Sequence, residues 1–199
     1  ILLDAGTDII INAAIDPTTV TLQSNDNIVI TSAVVADDLI TVSAGQDGSG
    51  SVDLAAGGSL SVDNVGNTAD ITISTGGVSG SVTLTGTTTA DDEVTITSAG
   101  AINGSGLVTG STIDLDAVSG IGNTTSLELA GSTITADTTT GNVNIDNTLG
   151  TAVTLSSLTS GAGSVQFDQS GGGDLTTNNV TATTSATITN SAGAIGLDG

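Results

Sequence analysis

Short strands with strict alternation run along this chain of 199 residues. In each of them, apolar residues stand at positions i and i+2, and Thr, Ser, Asp or Asn stand between them. This is the period of a strand that buries one face. An all-β fold built from many similar strands is therefore predicted. The alternating segments lie at 28–30, 39–42, 51–54, 59–62, 71–73, 82–84, 94–96, 113–115, 127–129, 143–145, 153–155, 165–167 and 187–189.

The composition of the apolar residues narrows the choice of architecture. They are Val, Ile, Leu and Ala, with Phe167 as the single aromatic residue. Two sheets of a β-sandwich lie ~10 Å apart, and aromatic side chains usually help to fill that gap. A parallel β-helix instead needs a narrow column of stacked aliphatic side chains, and its corners suit Gly and Asn. The composition therefore favours a β-helix, with tandem β-sandwich domains as the alternative.

Internal repeats give an estimate of the coil length. Residues 36–45 match residues 90–100 at an offset of 54 to 55, and residues 95–102 match 187–195 at an offset of 92 to 93. Both offsets are near multiples of one length, which predicts coils of about 18–19 residues. At ~4.8 Å per coil, the chain would form a rod of roughly 50 Å.

The strand pattern shows no domain boundary. We therefore interpret residues 1–199 as a single continuous β-solenoid segment of a larger repetitive protein. Residues 101–112 and 131–142 are spaced less regularly than the rest, and we expect them to form longer loops that leave the body of the solenoid.

The charge balance excludes several classes of function. The chain has 21 Asp and Glu residues, no Lys, Arg or His, and a formal net charge of −21. Nucleic-acid binding needs cationic side chains, and anionic membranes repel acidic ones. Nucleophilic catalysis by Ser–His or Cys–His pairs is impossible without His. We predict no enzyme and no membrane insertion. A polysaccharide-acting enzyme that uses two carboxylates is the least favoured hypothesis.

Paired acids suggest one candidate ion. Asp37 and Asp38 occupy the same place in the internal match as Asp91 and Asp92. Oxygen-rich turns can bind Ca²⁺, which takes six to eight oxygen ligands. These four residues are the predicted calcium ligands, with solvated turn acids as the alternative. Asp114 and Asp116 form a further pair. No other cofactor is expected.

The asparagines are candidates for ladders. In solenoids, such amides often stack and bond the backbone or amide of the next coil, although ordinary turn chemistry is the alternative. The residues concerned are Asn64, Asn67, Asn103, Asn123, Asn142, Asn144, Asn147, Asn178 and Asn179.

Residues 141–182 and 186–199 resemble the repeat regions of filamentous-haemagglutinin-like bacterial exoproteins and autotransporter adhesins. The resemblance lies in the style of the repeats, GNVNIDNTLGTAVTL and ATITNSAGAIGLDG for example. It implies a right-handed parallel β-helix that is exported to the bacterial cell surface, where it forms a stalk or fibre with copies of itself or with flanking repeats. A calcium-stabilised surface-layer, sheath or biofilm-matrix module is the alternative function.

Overall fold

The structure is a computed structural model that describes residues 1–63 and 69–198. It is all-β, and its parallel strands stack as a β-solenoid of about nine turns. The predicted fold class is therefore confirmed. The described residues contain 23 strands: β1 Leu2–Ala5, β2 Ile9–Ile11, β3 Thr19–Ser24, β4 Ile28–Ile30, β5 Ala33–Ala36, β6 Leu39–Ala44, β7 Val52–Leu54, β8 Ser59–Val62, β9 Asp70–Thr75, β10 Val82–Leu84, β11 Thr87–Thr89, β12 Glu93–Ser98, β13 Ala101–Asn103, β14 Leu107–Ala117, β15 Gly120–Ile121, β16 Leu127–Thr138, β17 Val143–Asn147, β18 Val153–Ser160, β19 Val165–Gln169, β20 Leu175–Thr177, β21 Val180–Ala182, β22 Ala186–Asn190 and β23 Ile195–Leu197.

The strands pair from coil to coil in three columns, which we call faces A, B and C. Face A contains β1, β3, β6, β9, β12, the second halves of β14 and β16, and then β18. Face B contains β2, β4, β7, β10, β13 and β15, and it continues into the starts of β17, β19 and β22. Face C contains β5, β8, β11 and the first halves of β14 and β16, followed by the ends of β17, β19 and β22.

Most coils are longer than the sequence repeats predict. Asn142 and Ser164, which are joined by a hydrogen bond between successive coils, are 22 residues apart in the chain. One coil is much longer, because Ser43 and Ser74 stand in register although they are 31 residues apart. The next coil is shorter again, since Ser74 is in register with Thr97. The repeat offset of 54 therefore spans two coils of unequal length rather than three equal ones.

Aliphatic side chains stack inside the solenoid in continuous columns. On face A, one such column runs through Ile40, Ile71, Val94, Ile113 and Ile134, and each of these side chains is fully buried. The intervening residues of each strand point outward, as the alternation predicts. Phe167 is fully buried in another aliphatic column, in register between Ile145 and Ile188. The narrow aliphatic interior that the composition predicts is therefore observed.

The two segments expected to be loops are strands. Residues 101–112 contain β13 and the first half of β14, and residues 131–142 contain the second half of β16. The expectation was wrong because Gly110 and Gly131, which look like breaks in the sequence, are paired with each other within these strands. Face C there continues into face A of the next coil without leaving the solenoid.

Glycine is required where the backbone turns tightly between coils. Gly77 has a φ of 78°, and a Cβ built on it would lie 2.1 Å from the carbonyl oxygen of Gly48. No side chain fits that space, and the left-handed backbone disfavours L-residues. The expectation that glycine marks corners holds at this position.

Polar side chains link successive coils at the corner before face B. Asp8 Oδ1 accepts a hydrogen bond from the Asn27 backbone N–H (2.9 Å), and Asn27 Oδ1 accepts one from the Ser51 backbone N–H (3.0 Å). Ser51 Oγ then accepts from the Ser81 backbone N–H (3.1 Å), and Ser81 Oγ accepts from the Ala101 backbone N–H (3.2 Å). We call this series the corner ladder. It satisfies backbone N–H groups that face no strand partner at the corner.

The corner ladder reappears further along the solenoid. Asn142 occupies the same place before β17, and its Oδ1 accepts a hydrogen bond from the Ser164 backbone N–H (2.9 Å). Asn103 Oδ1 also accepts from the Asn123 backbone N–H of the next coil, at 2.8 Å. The predicted asparagine ladders are therefore confirmed at these positions. Asn64 and Asn67 lie outside the described residues.

An amide ladder is buried on face C. Asn147 and Gln169 are fully buried and stand in register, and Asn147 Nδ2 donates to Gln169 Oε1 at 2.8 Å. Asn147 also bonds both backbone groups of Gly131, at 2.9 and 3.1 Å, and Gln169 Nε2 donates to the Leu149 carbonyl oxygen at 2.6 Å. These amides replace the strand pairing that the backbone lacks where the coil bends.

One buried hydroxyl in the same column has no partner among the described residues. Thr88 is fully buried between Leu60 and Val108, and its Oγ1 makes no hydrogen bond. A buried hydroxyl without a partner costs on the order of 1–3 kcal/mol.

We expect Thr88→Val to raise the free energy of unfolding by about 1 kcal/mol, because a methyl group replaces the unpaired hydroxyl at similar volume. Chemical denaturation followed by circular dichroism measures this. The matched control is Thr75→Val, since Thr75 Oγ1 donates to the Gly80 carbonyl oxygen at 2.6 Å and is also buried. The control should be less stable than the parent. A loss of stability in Thr88→Val would show that its hydroxyl is satisfied.

Candidate functional surface

The four predicted calcium residues lie at the corner before face A. Asp37 and Asp38 precede β6, and Asp91 and Asp92 precede β12. The coil between them contributes Ala69 at the same corner. The Asp70 N–H donates to the Asp38 carbonyl oxygen, and the Asp92 N–H donates to the Ala69 carbonyl oxygen, each at 3.3 Å. The internal match therefore does reflect equivalent positions, but the pairs are two coils apart, roughly 10 Å at the usual strand spacing.

Within residues 1–63 and 69–198, no three acidic side chains gather where they could hold a metal ion. Calcium binding at these pairs therefore stays a prediction from the sequence. It has a direct measurement: a chain stabilised by Ca²⁺ should melt at a lower temperature in EDTA and recover when Ca²⁺ is added in excess. Mg²⁺ at the same ionic strength is the control for screening. An unchanged melting temperature in EDTA would show that Ca²⁺ does not stabilise the chain.

The acids of face A come together across successive coils. Asp114 and Asp116 alternate with buried residues on β14, so both point outward. Asp116 stands in register with Asp137 on β16, and Asp114 stands between Thr95 and Thr135. We call Asp114, Asp116 and Asp137 the acid ladder. Like charges directly opposite each other on paired strands are unfavourable.

The environment of the acid ladder raises the pKa of two of its members. For Asp114, partial burial is the largest cause of the raised pKa, followed by repulsion from Asp116, Glu93 and Asp137. For Asp116, partial burial comes first and repulsion from Asp137 second. Both effects disfavour the charged form of the carboxyl group. Since the chain has no Lys, Arg or His, no cationic side chain opposes them.

These shifts predict a fold that becomes more stable in mild acid. The folded state holds the two protons more tightly than the unfolded chain does, so the free energy of unfolding rises as pH falls from neutrality through the raised pKa values. It levels off near the unperturbed pKa of 3.8. We expect Asp114→Asn to stabilise the chain at pH 7 by about 0.5 kcal/mol, the size of one exposed charge pair. The difference from the parent should vanish below pH 3.8. Denaturation curves at a series of pH values test this, and a constant difference across the series would contradict it.

A second column of acids lies on face C. Glu128 is in register with Asp146, and Asp146 is in register with Asp168. Each carboxylate accepts a hydrogen bond from a nearby hydroxyl: Ser126 donates to Glu128 at 3.1 Å, Ser170 to Asp146 at 2.6 Å and Thr189 to Asp168 at 2.7 Å. Sequence reasoning missed both columns, because the offset between neighbouring members of a column changes from one coil to the next.

A shallow groove of about 350 Å³ crosses the corner between faces C and A. Apolar surface from Ala90, Ala130 and Leu149 lines it beside the hydroxyls of Thr109, Ser111 and Ser132, and Asp91 is the one carboxylate among its described lining residues. Two carboxylates placed across a cleft are the minimum for glycoside hydrolysis. The groove does not supply that pair, so it gives no support to the polysaccharide-enzyme hypothesis.

Comparison with known proteins identified no relative of this chain. No protein-family model, no curated protein and no solved structure matches this chain. Among the described residues, no helix has the length and apolar character needed to cross a membrane. Every one of the 21 acidic residues is described, and none of them is buried. The candidate functional surface is therefore the acidic outer face of the solenoid itself.

Proposed function

We propose that this chain is a structural segment of a secreted or cell-surface bacterial fibre or adhesin, in which it acts as a stiff, acidic and protease-resistant rod. The observation that carries the proposal is the stack of about nine turns, in which the described strands pair from one coil to the next. Stacked units of this kind extend in one dimension, and their length is roughly 4.8 Å per turn.

The outer surface supports the same proposal. Carboxylates and hydroxyls cover it, while most of the aliphatic residues, which would promote aggregation if exposed, are inside. A strongly charged surface keeps a stack of strands soluble. The complete lack of Lys and Arg leaves no site for trypsin-like proteases. The resemblance of residues 141–182 and 186–199 to exoprotein repeats agrees with a location outside the cell.

Two measurements test this function. Small-angle X-ray scattering of the purified chain should give an elongated particle with a narrow cross-section, and digestion with a non-specific protease should leave the stack largely intact. Immunogold electron microscopy of cells that produce the protein should place the label on extracellular fibres. Label confined to the cell interior, or a compact and rapidly digested particle, would overturn the proposal.

A further inference from the structure

The charge of this molecule can change in only one direction. All 21 acidic side chains lie at the outer surface, and the chain has no Lys, Arg or His. An ordinary protein becomes cationic below its isoelectric point and regains repulsion between molecules. Here, protonation of the carboxylates reduces the net charge from −21 toward zero, and no side chain can supply positive charge. Acid therefore removes the repulsion between copies without restoring it.

The acid ladder is the part of face A where this loss of charge has the largest local effect. The charged group that faces it from the preceding coil is Glu93 on β12, and Asp70 on β9 lies one coil further away. On its other side, β18 contributes only hydroxyls, one of which, Ser157 Oγ, donates to Asp137 at 3.1 Å. Every charged group around the ladder is therefore an acid, so each proton that binds lowers the repulsion felt by the remaining carboxylates.

Outside the acid ladder, face A carries the acids Asp4, Asp70 and Glu93 and a regular column of hydroxyls. Thr21, Thr41, Thr72 and Thr95 stand in register on four successive coils, and Thr135 continues the same column beyond Asp114. Hydroxyls both donate and accept hydrogen bonds, and so does a protonated carboxyl group. Once its acids are protonated, face A presents a row of self-complementary groups at the spacing of the coils. A second copy of the same face has the same spacing.

We propose that mild acid makes two copies of this chain associate side by side through face A, and that the charge of the acid ladder prevents this association at neutral pH. The proposal rests on the proposed rod function. It adds the partner of the rod, which is a second copy of the chain, and the condition that controls their association, which is pH. The charge on the ladder sets the pH at which association begins, and the hydroxyl columns supply the contacts. Because no side chain can become cationic, the paired state persists at still lower pH.

Light scattering across a pH series from 7 to 2 tests this with two variants. In the first, Asp114→Asn, Asp116→Asn and Asp137→Asn remove the charge of the acid ladder. In the control, Asp47→Asn, Asp53→Asn and Asp63→Asn remove the same number of charges from positions outside face A. We expect the mass of the parent to rise by about twofold or more on acidification and to stay high at pH 2. The ladder variant should associate at a higher pH than the control variant.

Circular dichroism and small-angle scattering on the same samples separate the possible failures. A β-sheet signal and rod cross-section that persist through the rise in mass support docking of folded rods. A rise that coincides with loss of the β-sheet signal overturns the proposal, and so does a mass that stays monomeric at every pH. If both variants associate at the same pH, total charge controls the process and the assignment to face A is wrong. Loss of the rod shape already at neutral pH would instead overturn the proposed function.

Discussion

Ile96→Asp is expected to open the solenoid at its middle coils, at a cost of about 4 kcal/mol or more. Ile96 is fully buried and stands in register between Ile73 and Leu115, so a carboxylate there would lie in an aliphatic column with no donor or cation nearby. Burial of an unpaired charge is among the most destabilising changes known. Thermal melting followed by circular dichroism should show a large fall in the transition temperature.

The damage from Ile96→Asp should also be local. Each coil of a solenoid contacts only its neighbours, so we expect faster amide hydrogen exchange in β9, β12 and β14 than in β3 and β19. The control is Thr41→Asp, which adds the same charge at an outward position whose register neighbours are Thr21 and Thr72. The control should melt close to the parent. Melting of Ile96→Asp that matched the parent would refute the assignment of this column to the core.

Asn147→Leu is expected to cost about 3 kcal/mol, although leucine is close to asparagine in size. The substitution leaves the Gly131 N–H and C=O and the Gln169 Oε1 without their partner in a buried environment. Each orphaned group costs on the order of 1–3 kcal/mol. Urea denaturation of the parent and the variant measures the difference.

A double variant tests whether the buried amides act as a unit. Asn147→Leu combined with Gln169→Leu should cost less than the two single changes added together, because each single change leaves the other amide unpaired. The control is Asn178→Leu, which removes an exposed amide. It should cost well under about 1 kcal/mol. Strict additivity of the two buried changes would show that they do not interact.

The architecture was predictable because its determinants are local. Alternation marks the buried face of each strand, and the scarcity of aromatic residues excludes a thick core. The coil length was not predictable in the same way. Residues 36–45 and 90–100 do occupy equivalent corners, but only two coils, of unequal length, lie between them. The match of residues 95–102 with 187–195 relates face A to face B, because Thr95 pairs with Asp114 while Thr187 pairs with Gln166.

The candidate surface depended on the register between strands of successive coils, which the sequence alone does not reveal. The acid ladder requires that Asp116 stand opposite Asp137, and a shift of one residue would point one of them inward. The same holds for Thr88 and Asn147, which read as outward polar residues or turn residues until their column is known. The corner positions of Asp37 and Asp91 were predictable because a repeated motif marked them. Repeated motifs therefore predict which residues lie at the corners, whereas the contacts between coils can be identified only from the structure.

The corner ladder also has a polarity. In each link, the acceptor side chain belongs to the earlier coil and the donor N–H to the later one, from Asp8 to Asn27 and onward to Ala101. A finished coil therefore already carries the acceptor that the next coil needs. The other contacts of each coil also join it to neighbouring coils. A chain that emerges amino terminus first can therefore add turns one at a time, each templated by the turn before it.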